Sequence, residues 1–142
     1  MAEATTNQLR VRLVSPERIL FETTADAVEL PAKNGYMEVL YGHAPLLAEL
    51  GSGDVRLHGG QNVSGQVYNV SWGFVEVLPD RVTILANDAL KPEEIDVHRA
   101  QEQLERGQKD WLEAGDSAAK YAAALHRISE AEAKLAAAKE KH

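Results

Sequence analysis

The sequence predicts a β + α protein, with a β-type body over residues 1–91 and an α-helical hairpin over residues 92–142. Three observations carry this reading. All five prolines and eight of the ten glycines lie at or before Pro92, so turn chemistry ends there. Apolar residues before that point recur at a two-residue period or in short runs, as in strands. After it, alanine and charge dominate at helical spacing.

Leu9, Val11 and Leu13 alternate with Arg10 and Arg12, which gives a first strand one buried and one wet face. Further short strands are expected at residues 19–21, 27–30, 36–40, 55–58, 67–72, 74–78 and 82–85. Turns are expected at 31–35, 51–53, 59–62 and 79–80, where Gly, Pro, Asn and Asp cluster. The hairpin closed by Pro79-Asp80 is the clearest of these, because proline presets φ at the second turn position. Many short strands at close spacing point to a sandwich or barrel, whose paired layers each bury one face.

Pro92 suits the first turn of a helix, and Glu93, Glu94 and Asp96 complement its positive end, so a helix is predicted from Pro92 or Glu93. Val97, Ala100, Leu104 and Trp111 form its apolar stripe, interrupted by Gly107, which costs about 1 kcal/mol relative to Ala. Gly115 ends it, and Asp116 or Ser117 caps a second helix. That helix is predicted to turn Tyr121, Ala124, Leu125, Ile128, Ala131, Leu135 and Ala138 inward. Alanine carries little apolar area, so this seam is expected to hold weakly and to reopen. Extended, some 45 helical residues would reach about 65 Å.

Residues 92–116 carry three basic and eight acidic side chains, whereas residues 117–142 carry five and three. Lys120, Arg127, Lys134 and Lys141 recur every seven residues and make a basic stripe along the second helix. Two readings stay open for it: a solvated face, or a strip that docks on an acidic partner or on the acidic first helix.

Composition excludes several function classes. A net charge of -7 disfavours a general nucleic-acid binder. No run approaches the roughly 18 apolar residues of a membrane span, and the first residues lack signal-peptide character, so a soluble cytoplasmic protein with no direct membrane insertion is expected. With no cysteine, and no histidines at metal-ligand spacing, neither a metal site nor a thiol nucleophile is expected. There is no Gly-x-x-x-x-Gly-Lys-Ser/Thr loop, and Ser64, Ser71 and the histidines form no recognisable nucleophile and base set, so independent catalysis is not expected.

Four segments, in order, carry a resemblance that spans nearly the whole chain. They are Val14-Ser15-Pro16-Glu17 with Ile19-Leu20-Phe21; Gly42-His43-Ala44-Pro45-Leu46-Leu47 with Gly53-Asp54-Val55-Arg56; Gly73-Phe74-Val75-Glu76-Val77 with Val82-Thr83-Ile84-Leu85-Ala86; and Ile95-Asp96-x-x-Arg99-Ala100. Together they resemble the epsilon subunits of bacterial F-type ATP synthases. The resemblance implies an N-terminal ten-stranded β-sandwich followed by a two-helix hairpin. It implies a non-catalytic rotor subunit of the central stalk, peripheral on the cytoplasmic face of the bacterial inner membrane as part of the F1 sector. Its implied partners are the gamma subunit and the ring of c subunits for the body, and the alpha and beta subunits for the helices, which restrain ATP hydrolysis when raised.

Two sets of site residues follow from the same resemblance. Gly35, Tyr36, Glu38, Tyr41 and His43 would belong to the ring-facing loop, where Tyr36 replaces a frequent acidic residue, Glu38 a frequent Gly and Tyr41 a frequent Pro. Trp72 likewise stands where Gly often precedes Gly73. For His43, capping of its turn and contact with the ring are both open. Ile95, Asp96, Arg99 and Ala100 match a signature by which some family members bind ATP, with Arg127 as a partner from the second helix and Lys134 near a second basic position occupied here by Ala131. No cofactor is required, and any ATP binding would be weak. The alternative function is an ATP sensor whose hairpin closes on nucleotide; a simple Asp96–Arg99 ion pair, worth a few tenths of a kcal/mol, explains the signature without a ligand.

Overall fold

The computed structural model describes residues 8–60 and 66–141, the side chains of residues 140 and 141 excepted. The expected turn at 59–62 therefore lies partly outside the described residues, as do Ser64 and the Lys141 side chain. Two compact units divide the chain, one ending at Ala89 and the other starting at Leu90.

The first unit holds seven strands: β1 (Leu9–Val14), β2 (Ile19–Ala25), β3 (Ala27–Ala32), β4 (Gly35–Leu40), β5 (Leu46–His58), β6 (Val67–Leu78) and β7 (Arg81–Leu90). They hydrogen-bond in the order β2-β1-β7-β6-β5-β3-β4, with β1 and β7 parallel. Ten strands were expected and seven are present. β5 and β6 run straight through positions that read as a turn and a break, and β7 continues past the expected end of its strand at residue 85.

Side-chain parity explains the difference. In β5 the core takes Leu50 and then Val55 and Leu57; in β6 it takes Tyr68 and Val70 and then Val75 and Val77; in β7 it takes Val82, Ile84 and Ala86 and then Ala89. Each strand switches the face it turns inward, from even to odd positions. Because alternate residues of a regular strand keep to one face, a switch of parity marks a local irregularity that re-aims the strand. Counting the two halves of β5, β6 and β7 separately restores ten. The stretch 51–53 is such a point and not a hairpin turn: β5 continues through it, paired without a register shift to β6.

Why those positions can bend is visible locally. Trp72 has φ +60° and Gly73 φ +133°, both outside ordinary strand geometry. A Cβ on Gly73 would lie 1.9 Å from the Leu85 carbonyl oxygen, so only glycine fits there. Pro31 cannot donate to a ladder, and the pairing of β3 with β5 shifts register between Glu29 and Ala32 around it.

Leu9, Val11 and Leu13 of β1 and Val39 of β4 belong to one buried cluster built wholly from strand residues. These strands are separated by several neighbours at about 4.8 Å each, so the sheet folds over on itself to bring them into one core. That is the β-sandwich. The Pro79-Asp80 turn joins β6 and β7 as expected, whereas the strand residues 46–50 were not anticipated.

In the second unit Pro92–Glu94 is a single 3-10 turn. The chain then extends through Ile95 before α1 (Val97–Leu112), so the helix starts four or five residues later than its charge pattern suggested. Ile95 is buried against Ala137 and Ala138 of α2 (Ala118–Lys141), which draws it out of the helical path. Gly115 has φ +61° in the connection. The Ser117 hydroxyl accepts from the Lys120 amide at 3.2 Å and caps α2.

The seam between α1 and α2 differs from its prediction. Ala100, Gly107, Ala124, Ala131, Ala137 and Ala138 are buried. Leu125 stays 55% exposed and Val97 47%. A Cβ on Gly107 would lie 2.8 Å from Ile128 Cγ1 and 3.3 Å from its backbone nitrogen, so Gly107 marks the closest approach of the two helices.

Candidate functional site

The expected ring-facing residues are spread along β4. Gly35 and Tyr36 open the strand, after a two-residue turn at Lys33 and Asn34, and Tyr41 and His43 follow its far end. At strand rise the ends lie about 17 Å apart. Tyr36 and Glu38 share its exposed face, and Glu38 stands opposite Glu29.

Beyond β4 the chain turns with Gly42 at φ +91°. The Gly42 amide donates to the Pro79 carbonyl at 2.7 Å, tying this loop to the β6–β7 turn. The His43 amide donates to the Leu40 carbonyl at 3.2 Å, and its Nδ1–H donates to the Ala44 carbonyl at 2.6 Å. His43 therefore braces its turn. Four large apolar side chains surround this connection in the open: Leu40, Tyr41, Leu46 and Leu47, the last 71% exposed.

Sequence reading gave Asp54 no role, yet it is a buried polar hub. Its carboxylate accepts from Asn69 Nδ2 at 3.1 Å and from Arg56 Nη2 at 3.3 Å, and its amide donates to the Tyr36 hydroxyl at 2.9 Å. Gly53 makes this possible, since a Cβ there would fall 2.4 Å from the Tyr36 hydroxyl oxygen. Only the Gly-Asp-x-Arg spacing hinted at it. Burial pushes the Tyr36 phenol above its ordinary value of 10.0, against the opposing pull of the Asp54 amide.

Substituting Tyr36→Phe leaves the Asp54 amide without its acceptor and is expected to cost about 1–3 kcal/mol of body stability in urea unfolding at neutral pH. The sign of its pH dependence follows from the raised value. Unfolded chains ionise this phenol first, so its contribution is complete below about pH 10 and falls as pH rises further. The gap between variant and parent should narrow above that pH.

In the hairpin, the Asp96 carboxylate accepts from the Arg99 amide at 3.1 Å, which makes Asp96 the N-cap of α1 and replaces the expected Asp96–Arg99 ion pair. Ala100 is buried and Arg99 exposed. Arg127 of α2 pairs with Asp110 of α1. Asp110 lies eleven residues beyond Arg99, about 16 Å along the helix. Arg127 is thus engaged away from the Asp96 and Arg99 end.

Nor do the described members of the basic stripe form one free face. Lys120 is exposed, while Lys134 is buried and reaches Glu130 at 2.9 Å. Among the described residues no group of three His, Asp or Glu could hold a metal.

The Asp110–Arg127 pair is about 40% exposed on both sides, with 39% and 42% of each side chain accessible. Exposed pairs contribute little. Asp110→Asn should lower hairpin stability by less than about 1 kcal/mol, followed by Trp111 fluorescence in urea, and high salt should erase the difference.

The profile of the ATP synthase delta/epsilon chain β-sandwich domain matches residues 8–92. An ATP synthase epsilon chain of Solibacter usitatus is 41% identical over 133 residues, covering 94% of this chain and 97% of that protein. This chain belongs to the ATP synthase delta/epsilon family. Another epsilon chain, from Halalkalibacterium halodurans, is 44% identical over 101 residues, 71% of this chain and 74% of that one.

The same fold occurs in two solved assemblies. One is the Euglena gracilis mitochondrial ATP synthase OSCP/F1/c-ring structure, with TM-score 0.76 and 21% identity over 95% of this chain and 84% of that one. The other is the Tetrahymena thermophila mitochondrial ATP synthase central stalk/c-ring, with TM-score 0.62 and 19% identity over 92% and 96%. Like other epsilon chains, this one is a non-catalytic subunit. No helix among its described residues is long and apolar enough to cross a membrane.

Proposed function

We propose that this chain is a rotor subunit of the central stalk, whose body joins the gamma subunit to the c ring while its hairpin restrains ATP hydrolysis. The supporting observation is the exposed apolar group Leu40, Tyr41, Leu46 and Leu47 at the β4–β5 connection. Clustered apolar side chains left in water mark an interaction surface. Here they surround a loop braced by His43 and tethered to Pro79, so the surface is presented in one shape.

The ring-facing role falls to this loop together with Tyr36 and Glu38. The hairpin supplies the moving part: its seam is built mainly from alanine and one glycine, which bury little area, and its described ion pair between helices is half exposed. Raised helices would meet the alpha and beta subunits, with Lys120, Arg127, Lys134 and Lys141 facing acidic segments. The complex would place the chain peripherally on the cytoplasmic face of the bacterial membrane.

Comparing ATPase rates of the assembled enzyme carrying full-length protein and protein cut after Lys91 tests this function. The shortened form should assemble with gamma and hydrolyse ATP faster. Equal rates would remove the restraining role, and failure to assemble would remove the coupling role. In the nucleotide-sensing alternative, the isolated chain binds MgATP; titration calorimetry without heat at millimolar nucleotide would exclude it.

A further inference from the structure

Three arginines gather on the outer face of the sandwich, two from β1 and one, Arg81, from β7 far along the chain. Arg10 and Arg81 are direct partners across the parallel β1–β7 pair, and Arg12 stands two positions along β1. Adjacent strands run about 4.8 Å apart, so two guanidinium stems leave the same face side by side. Like charges directly opposite in a sheet are destabilising. Sequence reading treated Arg10 and Arg12 only as the wet side of a strand.

Their surroundings divide the three. Arg12 is held by Glu22 of β2, Nε to Oε2 at 3.0 Å. Neither Arg10 nor Arg81 has an ion-pair or hydrogen-bond partner for its guanidinium among the described residues. All three line a groove of about 550 Å³, with Glu22 and Glu76 also in its wall and Thr24 at the Arg10 end. Further along the same face the apolar side chains Ile19, Phe74 and Leu85 are about half exposed. Ile19 and Leu85 both pair with Val14.

We infer that this groove seats a carboxylate from an acidic segment of a protein partner, held between Arg10 and Arg81. Planar guanidinium groups match carboxylates with two parallel hydrogen bonds. The two glutamates in the wall oppose a polyphosphate, which would bring several charges to a site whose excess is one. A single carboxylate meets two open arginines without that repulsion, and the neighbouring Ile19, Phe74 and Leu85 offer apolar contact beside it. On a chain of net charge -7 such an arginine cluster is a local exception, and it persists although the Arg10–Arg81 neighbourhood works against the fold.

Titration of the full-length chain with hexaglutamate, followed by NMR of arginine Nε–H and backbone amide signals, tests the inference. Hexaglutamate should move the Arg10 and Arg81 signals, hexaglutamine should not, and Arg10→Gln with Arg81→Gln should weaken binding at least about tenfold. Inorganic phosphate and ATP should bind more weakly than the peptide. A second readout separates recognition from fold maintenance: Arg10→Glu turns the like-charged pair into an opposite one, so the melting temperature should hold or rise while peptide binding is lost. Hexaglutamate acting elsewhere, undiminished binding by the double variant, stronger binding of phosphate or ATP, or a lowered melting temperature for Arg10→Glu would each overturn the proposal.

Discussion

Replacing Gly73 by alanine should cost the body on the order of 4 kcal/mol, although alanine is the smallest side chain available. Two separate penalties combine. The backbone at φ +133° is strained for any residue with a Cβ, at about 1–3 kcal/mol. The added carbon would also sit 1.9 Å from the Leu85 carbonyl oxygen, a backbone atom of β7 that cannot step aside without disturbing the sheet, for about another 1–3 kcal/mol. Domains are stable by only about 5–15 kcal/mol, so thermal unfolding followed by circular dichroism should fall by some 20 °C. Gly35→Ala is the control. Its φ is +136°, yet nothing lies within 4 Å of the added atom, so only the backbone strain remains. Equal melting temperatures for the two variants would refute the argument that close approach of β7 fixes the bend in β6.

That bend also shows where sequence stops being informative. Leu9 to Leu13 announced their strand because alternation is a local property, and Pro79-Asp80 announced their turn because proline sets its own φ. Gly51 to Gly53 misled for the same reason: a glycine that closes a hairpin and one that lets a long strand change faces look identical without the partner strand. Residues 46–50 escaped notice because Leu46 and Leu47 are adjacent and both exposed, which breaks the alternation. In the hairpin, apolarity predicted burial for Leu125, but alanines and Gly107 bring the backbones together and leave it outside, while the charged Lys134 is buried. The Asp110–Arg127 pair depends on the relative register of two helices, which no single-helix spacing reveals. Asp96 was legible as an acidic residue at a helix start, but its role as cap required knowing that Ile95 leaves the helix to pack on α2. Family resemblance supplied the stalk reading that neither periodicity nor charge could.

Gly107→Leu should open the hairpin while making α1 a better helix. The propensity gain is about 1 kcal/mol, because glycine is among the poorest helix formers. Against it stands the seam: even the first carbon would lie 2.8 Å from Ile128 Cγ1 and 3.3 Å from the Ile128 nitrogen, and leucine adds three more beyond it. Ile128 Cγ1 can rotate away, but the α2 backbone cannot, so the helices must separate along a seam whose remaining contacts are mostly alanine. The docking loss is about 2 kcal/mol, enough to shift the closed-to-open ratio some thirtyfold. Helical circular dichroism should therefore hold or rise, while the Trp111–Tyr121 ring contact, with centroids 4.9 Å apart at the turn end of the hairpin, weakens and alters tryptophan fluorescence. The body's unfolding transition should stay where it is, since its core is built wholly from strand residues. In the assembled enzyme a looser hairpin would rise more readily, so ATP hydrolysis should slow relative to the parent. That second readout depends on the proposed restraining role, whereas the fluorescence does not. Unchanged fluorescence would show that the seam tolerates the side chain; changed fluorescence with unchanged hydrolysis would show that opening alone does not engage the catalytic subunits.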